Sequence, residues 1–272
     1  NLDSVKQAVL EIQPDYIINA AAKVGGILAN NTYRTDFILE NLKININLLE
    51  SLIPYENINL INLGSSCIYP LNAPNPIKEE YIMTGELEKT NSPYAMAKLT
   101  AIELGNSIKQ QYGHKIVNLM PTNLYGPNDN FDLNNSHFYP ALIRKIYLAK
   151  KNKKKKLNIW GTGKAKRELM FVDDFADAVV SFMKKKIKEP FLNIGTGKDY
   201  QIDWYAKMLM KFMNIKLKIN YDTKKPDGMP RKCLDISLAK KYGWKPKNNY
   251  LEGFKLTFQH FLKNHNKNEK NK

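Results

Sequence analysis

Residues 91–99 read Asn-Ser-Pro-Tyr-Ala-Met-Ala-Lys-Leu, and residues 64–69 read Gly-Ser-Ser-Cys-Ile-Tyr. Ser-Pro is a typical helix start, so Tyr94 and Lys98, four positions apart, should leave the same face of one helix. A neighbouring ammonium favours phenolate, and we therefore expect the pKa of Tyr94 to fall from about 10 toward neutral pH. Such a tyrosine can donate and accept protons, and Ser65 would bind the same substrate oxygen.

The apolar run 58–63 precedes the Gly-Ser-Ser segment and predicts a strand that delivers hydroxyl groups at its carboxyl end. Open α/β sheets bind their ligands at that edge. Tyr-x-x-x-Lys alone is weak evidence, because many amphipathic helices carry Tyr and Lys on a solvated face. Together with the strand, the segment resembles the extended short-chain dehydrogenase/reductase family. The resemblance implies that Ser65, Tyr94 and Lys98 act on a carbonyl or a carbinol.

The rest of the chain alternates predicted strands with predicted helices. Strands are expected at 15–19, 58–63, 115–120, 157–160, 191–194 and 217–221. Helices are expected at 3–13, 35–53, 92–111, 139–150, 202–213 and 251–263. A further helix is expected to begin at an acidic N-cap within 171–174 and to end at about residue 183. This order predicts an α/β fold, a doubly wound parallel sheet of Rossmann-like type with a smaller α/β substrate-binding lobe. We expect residues 1–126 and 170–198 to form the dinucleotide-binding domain, and 127–169 and 199–272 to form the lobe.

Composition limits the class of protein. A chain of 272 residues with 43% apolar content can bury a sizeable core. No apolar run reaches the roughly 18 residues of a membrane span, and the start Asn-Leu-Asp-Ser has no signal-peptide pattern. We therefore expect a soluble, cytoplasmic protein with no membrane partner. Cys67 and Cys233 lack metal-ligand spacing with each other or with the histidines, so neither a metal site nor a disulfide framework is expected.

The net charge of +16 raises nucleic acid as a possible partner. The lysines are spread over several runs without interleaved aromatic residues or a nucleic-acid-binding motif, so a general lysine bias explains the charge better, and we expect no nucleic-acid partner. A steep salt dependence of oligonucleotide binding would support the alternative. Arginine is rare, and where it is retained we expect a planar contact to phosphate or carboxylate. The four arginines are Arg34, Arg144, Arg167 and Arg231.

Several further motifs narrow the resemblance. In chain order they are residues 20–27 (Ala-Ala-Ala-Lys-Val-Gly-Gly-Ile), 64–70 (Gly-Ser-Ser-Cys-Ile-Tyr-Pro), 121–127 (Pro-Thr-Asn-Leu-Tyr-Gly-Pro), His137, 160–163 (Trp-Gly-Thr-Gly) with Arg167, and 225–228 (Lys-Pro-Asp-Gly). Their order is similar to that in members of the NAD-dependent epimerase/dehydratase branch that epimerise and reduce GDP-linked 4-keto-6-deoxy sugars. The similarity covers essentially the whole chain. It implies NADP(H) as cofactor and a GDP-linked 4-keto-6-deoxy sugar as substrate. It also implies a homodimer whose interface is a four-helix arrangement that includes the Tyr94 helix.

The chemistry of such a substrate accounts for two further residues. A ketone at C4 acidifies the hydrogens on C3 and C5, so inversion there needs a base on one face and an acid on the other. Cys67 and His137 are the candidates, because thiol and imidazole titrate close to neutral pH. Ser65 and Tyr94 would stabilise the enolate oxygen, and Tyr94, reprotonated through Lys98, would protonate O4 as a nicotinamide reduces C4. The alternatives are that Cys67 is a small buried residue and that His137 only packs a loop.

The resemblance also implies binding residues. Toward the cofactor these are Leu63, Gly64, Ser65, Ser66, Lys98, Pro121, Thr122, Asn123, Leu124 and His137. Toward the GDP-sugar they are Lys145, Trp160, Arg167 and, less directly supported, Asp227. Arg167 could clamp the diphosphate and Trp160 could cover an apolar face of the ligand. Trp160 as part of the lobe core is an equally open interpretation.

One feature of the family pattern is missing. A Gly-x-x-Gly-x-x-Gly turn after a first strand should hold the pyrophosphate, but the two Gly-Thr-Gly turns, at 161–163 and 195–197, come late and lack the third glycine. We therefore expect a fragment that enters the fold about fifty residues late, with the first strands missing. Two alternatives to the main interpretation stay open, namely a related enzyme for another GDP-4-keto sugar and an inactive GDP-sugar-binding remnant. A 4,6-dehydratase is disfavoured, because Ser66-Cys67 stands where dehydratases of the family carry Asp-Glu.

Overall fold

The computed structural model describes residues 1–133, 136–225, 227–247 and 249–270, with side chains described through residue 264. The helices are α1 (Leu2–Ile12), α2 (Ile27–Thr32), α3 (Arg34–Leu52), α4 (Ser92–Tyr112), α5 (Phe138–Lys151), α6 (Val172–Met183), α7 (Ile202–Phe212), α8 (Ser237–Lys241) and α9 (Tyr250–Lys270). The strands are β1 (Tyr16–Asn19), β2 (Asn59–Leu63), β3 (Ile116–Pro121), β4 (Asn123–Tyr125), β5 (Lys156–Trp160), β6 (Lys166–Phe171), β7 (Leu192–Ile194), β8 (Asp199–Gln201), β9 (Lys218–Asp222) and β10 (Arg231–Lys232). In this part of the chain, no helix has both the length and the hydropathy that crossing a bilayer requires.

A parallel sheet in the order β1-β2-β3-β7 forms the centre of the first lobe. Successive residues of a strand point to opposite faces, and the two faces have separate cores. Leu60 packs with α1, α3 and α4 on one face, whereas Ile61 and Leu119 pack with α6 on the other. Both faces are covered by helices, as in doubly wound sheets. The predicted α/β class and parallel sheet are confirmed.

The second lobe is built around strand β6. Its first half lies between β10, which runs parallel to it, and β8, which runs antiparallel, while its second half pairs with β4. A separate parallel pair joins β5 to β9. Buried aromatic side chains form much of this core, among them Tyr125, Tyr139, Tyr205 and Phe254. The division between the two lobes stays a prediction, and Trp244, which we assigned to the second lobe, packs on the four-stranded sheet beside α6.

Some predicted elements differ from the structure. Helix α2 begins at Ile27, where a loop was expected, and the short strands β4, β6, β8 and β10 were not predicted. The acidic N-cap of α6 is wrong, because Phe171 is the N-cap in extended backbone and Asp173 and Asp174 lie in the first helical turn. Carboxylates there still complement the helix dipole. Pro226, part of the Lys-Pro-Asp-Gly motif, lies outside the described residues.

Candidate functional site

A cavity of about 300 Å³ opens between the carboxyl ends of the first sheet and the second lobe. Open α/β folds bind ligands in this place, because parallel strands end together there. The predicted site residues in its wall are Ser66, Cys67, Tyr94, Asn123, His137, Lys145, Trp160, Arg167 and Asp227. Ser65 and Lys98 lie directly behind this wall, next to Cys67 and Tyr94. The fold therefore collects residues from six separate sequence motifs around one space.

The Tyr94 helix begins as the Ser-Pro sequence predicted, with Asn91 as N-cap. The buried Lys98 ammonium donates a hydrogen bond to the Leu63 carbonyl at 2.8 Å, and its nitrogen lies 5.8 Å from the centre of the Tyr94 ring. The expected lowering of the tyrosine pKa is wrong for this arrangement. Burial raises the pKa of Tyr94, as does Cys67 nearby, and a hydrogen bond with Ser65 offsets only part of this. The lysine faces the ring and is bonded elsewhere, so desolvation prevails.

Cys67 lies in a short 3₁₀ turn directly after β2. Ser65 caps this turn, and its hydroxyl accepts a hydrogen bond from the backbone N–H of Cys67 at 3.3 Å. The thiol is buried, and burial raises its pKa. Three neighbours act in the opposite direction: the Lys232 ammonium has the largest effect, followed by Ser65 and then Lys98. Cys67 is therefore a desolvated thiol whose ionisation depends on nearby cations.

His137 is the N-cap of α5 and faces the same cavity. Its ring is exposed to the cavity space, but protein atoms crowd around it. This desolvation and the Lys232 ammonium both disfavour the imidazolium and lower the pKa of His137. Cys67 and His137 thus line one cavity from two separate elements, the turn after β2 and the start of α5, and their roles as acid and base stay a prediction.

The predicted cofactor residues lie where β2 and β3 end. Thr122 and Asn123 each donate a side-chain hydrogen bond to the Glu168 carbonyl, at 3.3 and 3.1 Å. A Cβ on Gly64 would come within 2.2 Å of the Met120 side chain, so only glycine fits at this position unless Met120 moves. These residues line the carboxyl edge of the sheet, and their binding of the nicotinamide end of a dinucleotide stays a prediction. Contacts to its pyrophosphate are not supplied by the Gly-Thr-Gly turns, which lie in the second lobe and at the end of β7.

Arg167 and Asp227, both predicted to bind substrate, bind protein groups in this structure. The Arg167 guanidinium donates to the carbonyls of Met229 and Asp227, at 2.5 and 3.1 Å. The Asp227 carboxylate accepts from the backbone N–H and the hydroxyl of Thr162, at 2.7 and 2.8 Å. A Cβ on Gly161 would lie 2.1 Å from this carboxylate, and φ there is +68°. Asp227 therefore holds the Gly-Thr-Gly turn that follows Trp160, and a direct substrate contact by it stays a prediction.

Trp160 lies between two lysines at the mouth of the cavity. The ammonium nitrogens of Lys145 and Lys225 are 5.5 and 5.3 Å from its ring centre, within the range of cation–π attraction. The indole is 41% exposed, so it is not part of the lobe core, which was the alternative interpretation. Burial lowers the pKa of Lys145. An exposed ring flanked by cations is suited to a ligand that is both aromatic and anionic.

Of the other three arginines, Arg231 makes the expected planar contact to a carboxylate, whereas Arg144 and Arg34 bind carbonyl and hydroxyl oxygens of the protein. Arg231 forms a two-point ion pair with the Asp199 carboxylate, at 2.6 and 3.2 Å. Arg144 donates to the Phe131 carbonyl, and Arg34 donates to the carbonyl of Lys89 and the hydroxyl of Ser92. Arg34 thereby ties α3 to the start of the Tyr94 helix.

Two charged residues of the cavity wall were not singled out from the sequence. Lys232 lies on β10, whose two residues are too few to give a strand pattern, and it follows the Pro-Asp-Gly motif within a predicted loop. Glu88 precedes the Tyr94 helix, and its carboxylate accepts hydrogen bonds from the backbone of Thr90 and Asn91. The sequence signal for Glu88 was its place three residues before the helix N-cap. Among the described residues, no group of three or more His, Cys, Asp or Glu side chains is arranged to hold a metal ion.

Comparisons with known proteins agree with this geometry. GDP-L-fucose synthase 1 of Arabidopsis thaliana is 43% identical over 268 residues, which are 97% of this chain and 83% of that protein. The crystal structure of a GDP-6-OMe-4-keto-L-xylo-heptose reductase from C. jejuni superposes with a TM-score of 0.88 at 30% identity, over 97% of this chain and 87% of that one. A GDP-L-fucose synthetase from Naegleria fowleri bound to NADP gives 0.86 at 27% identity, over 98% and 82%.

A family-level match supports the same assignment. Residues 1–195 match the NAD dependent epimerase/dehydratase family. The matched region includes Cys67, Tyr94 and His137, as well as the carboxyl ends of β2 and β3. The chain belongs to the NAD dependent epimerase/dehydratase family.

Proposed function

We propose that this protein epimerises GDP-4-keto-6-deoxy-D-mannose at C3 and C5 and reduces it at C4 to GDP-L-fucose, with NADP(H) as cofactor. The observation that carries this proposal is the meeting of Cys67, His137 and Tyr94 around one cavity at the carboxyl edge of the sheet. The similarity to GDP-L-fucose synthases over nearly the whole chain supports the choice of substrate.

In the epimerisation, we assign proton exchange at C3 and C5 to Cys67 and His137. The two residues belong to different lobes, so a sugar between them is accessible from both faces. The charge that leaves the carbon moves to the C4 oxygen, where Ser65 and Tyr94 donate hydrogen bonds. Tyr94 is suited to this as a neutral donor, because its raised pKa keeps the phenol protonated at neutral pH.

In the reduction, the Tyr94 phenol donates its proton to O4. The bound cofactor supplies the hydride for C4. Lys98 keeps the phenol in place through its contact with the Tyr94 ring and its bond to the Leu63 carbonyl. The residues that would hold the nicotinamide end are Leu63, Gly64, Ser65, Ser66, Lys98, Pro121, Thr122, Asn123, Leu124 and His137.

We assign the GDP moiety to the second lobe. Lys145 and Arg167 provide positive charge toward a diphosphate, and Trp160 offers an exposed aromatic face. Arg167 binds Asp227 through the Asp227 carbonyl, and the Asp227 carboxylate holds the turn after Trp160, so these residues form one connected wall. In this view Asp227 shapes the site instead of contacting the sugar.

A second candidate is a reductase for a GDP-linked heptose. The close superposition with the C. jejuni heptose reductase favours it. Mass spectrometry of products from GDP-4-keto-6-deoxymannose and from GDP-4-keto-heptoses, each incubated with the protein and NADPH, separates the two. Preferred reduction of the heptose would replace the fucose assignment. GDP binding without turnover of any ketone would favour a binding remnant.

We further propose a cytoplasmic homodimer. Cys67 and Cys233 are both unpaired and buried, which fits a reducing compartment. Helices α3 and α4 pack side by side and expose Leu39, Ile46 and Met96, apolar side chains that a second copy would cover.

A further inference from the structure

Lys232 is placed on the cavity wall by a short parallel pairing. Strand β10 lies beside β6, and Lys232 is the register partner of Arg167. Its neighbour Arg231 points out to Asp199, so alternation along the strand turns Lys232 toward the cavity that Cys67 and His137 also line. The half-buried Lys232 thus lies on the same cavity wall as Cys67 and His137.

The thiol of Cys67 is poorly suited to accept a proton without such help. Only the thiolate is basic, and a buried thiolate without a counter-charge is costly. Of the two lysines whose charge favours this thiolate, Lys98 has the smaller effect, and its ammonium is hydrogen-bonded to the Leu63 carbonyl. Lys232 has the larger one.

The charge of Lys232 depends on the other ionisable groups around it. Arg167 lies beside it and, together with burial, lowers the pKa of Lys232, to about 8, while Cys67, Glu168 and Glu88 act in the opposite direction. Both carboxylates bind backbone N–H groups, Glu168 that of Leu234 and Glu88 that of Asn91. The fifth neighbouring group, His137, is disfavoured as a cation by Lys232. A lysine in this setting is mainly protonated at neutral pH and faces one ionisable thiol.

We propose that Lys232 is a positioning residue whose ammonium stabilises the Cys67 thiolate. The inference rests on the proposed function in giving Cys67 the proton transfer. In that step the C–H bond beside the ketone breaks, the proton forms an S–H bond with Cys67, and the electron pair moves to the C4 oxygen held by Ser65 and Tyr94. Lys232 acts through the sulfur and takes no proton from the sugar.

The test measures the ionisation of Cys67 without any substrate. Iodoacetamide alkylation of the Cys67 peptide is followed by mass spectrometry from pH 6 to 10 in the wild type and in Lys232→Met. The rate reports the thiolate fraction. We expect Lys232→Met to slow alkylation at pH 7 about tenfold, the usual size of a neighbouring-charge effect, because Lys232 is still mainly protonated at that pH. Lys232→Arg should keep or exceed the wild-type rate at pH 7, because its guanidinium stays charged.

The matched control is Lys166→Met, which removes a lysine from the same pair of strands at an exposed position and should leave the profile unchanged. Cys67→Ser gives the background. Lys232→Gln serves if the methionine variant does not melt cooperatively. An unchanged alkylation rate at pH 7 in both variants would overturn the proposal, and weaker GDP binding by calorimetry would then make Lys232 a substrate contact. A slowed rate supports the proposal even if the wild type exchanges no deuterium with the keto sugar, a result that would refute only the proposed function.

Discussion

Burial is the main influence on the ionisation of Cys67, Tyr94 and His137, the three candidates for proton transfer. It raises the pKa of the Cys67 thiol and of the Tyr94 phenol and lowers that of His137. All three shifts favour the neutral form. The neutral imidazole can accept a proton and the neutral phenol can donate one, whereas the Cys67 thiol needs a nearby cation to form the basic thiolate.

The proposed roles of Cys67 in epimerisation and of Tyr94 in reduction give a first prediction. Cys67→Ser should abolish exchange of solvent deuterium into the carbons beside the ketone, because a hydroxyl is far less acidic than a thiol, while some reduction of the unepimerised ketone remains. Tyr94→Phe should retain measurable, slower exchange, because Ser65 still donates to the C4 oxygen, and should lose hydride transfer at least about 10²-fold, the usual contribution of a general acid. Proton NMR in D₂O measures the first and NADPH absorbance the second. Cys233→Ser, at a buried site outside the cavity wall, is the control; normal exchange in Cys67→Ser would remove Cys67 from the mechanism.

Asp129, in the loop after β4, gives a second residue-scale prediction. Burial raises the pKa of its carboxyl to about 6, against a hydrogen bond from the backbone N–H of Asn130 that lowers it. The folded chain then holds a proton that the unfolded chain has released, so the stability that the protonated carboxyl contributes is lost as pH rises from about 4 to 6.

Asp129→Asn should remove this pH dependence. We expect the variant to gain roughly 2 kcal/mol in free energy of unfolding over the wild type at pH 7.5, relative to any difference between them at pH 4. Urea denaturation at the two pH values measures it, with Asp15→Asn at an exposed position as control. An equal difference at both pH values would mean that the carboxyl is ionised in the folded protein.

The sequence predicted which residues meet at the site better than it predicted their chemical state. Spacing and strand-end position brought Ser65, Cys67 and Tyr94 together, because parallel strands end at one edge. The pKa direction of Tyr94 was wrong, since spacing counts a lysine four residues away but not the protein atoms around the phenol. Lys232 was missed for a related reason: a two-residue strand has no periodicity, and its electrostatic interaction with Cys67 spans 165 positions.

At the scale of secondary-structure elements, apolar runs located the main strands of the first sheet but not how they are joined. Asn19 donates to Asn62 at 3.0 Å and Asn62 donates to Asn118 at 3.1 Å, forming a chain of buried amides across β1, β2 and β3. Each amide interrupts an otherwise apolar strand and is tolerable in the core because it has hydrogen-bond partners, among them the amide on the next strand. Such pairs are non-local and have no signature within one strand.

Glu168 connects strand β6 with the turn between β7 and β8 and with the segment after β10. Its replacement gives a prediction about these connections. Its buried carboxylate accepts from the backbone N–H groups of Thr196 and Gly197 through one oxygen and from that of Leu234 through the other. Glu168→Gln places an amide NH₂ against one of these sets and leaves a buried donor unpaired, which costs about 1–3 kcal/mol. Urea denaturation should show this loss, with exposed Glu86→Gln near wild type. A neutral effect at Glu168 would mean that these turns do not need the carboxylate.

In the whole molecule, α3 and α4 together form one surface with exposed apolar side chains. These helices pack on the first sheet, and Leu39 and Ile46, seven residues apart, lie on one face of α3. Met96 on α4 is 45% exposed and lies between Tyr94 and Lys98 in the sequence. Apolar side chains grouped on two neighbouring helices are expected where a second copy docks, and two such pairs related by a twofold axis would form a four-helix arrangement.

Met96→Glu should therefore convert a homodimer into monomers, because a twofold interface places each introduced carboxylate near its symmetry mate in a desolvated contact. Sedimentation equilibrium at micromolar concentration measures the association. Val180→Glu is the matched control, since it adds the same charge to α6 at an apolar position that is 63% exposed, away from the proposed interface. Because Met96 lies within the turn that joins Tyr94 to Lys98, loss of the dimer should also lower the rate of reduction more than it weakens GDP binding. A wild-type monomer, or a Met96→Glu dimer as tight as that of Val180→Glu, would exclude this surface as the interface.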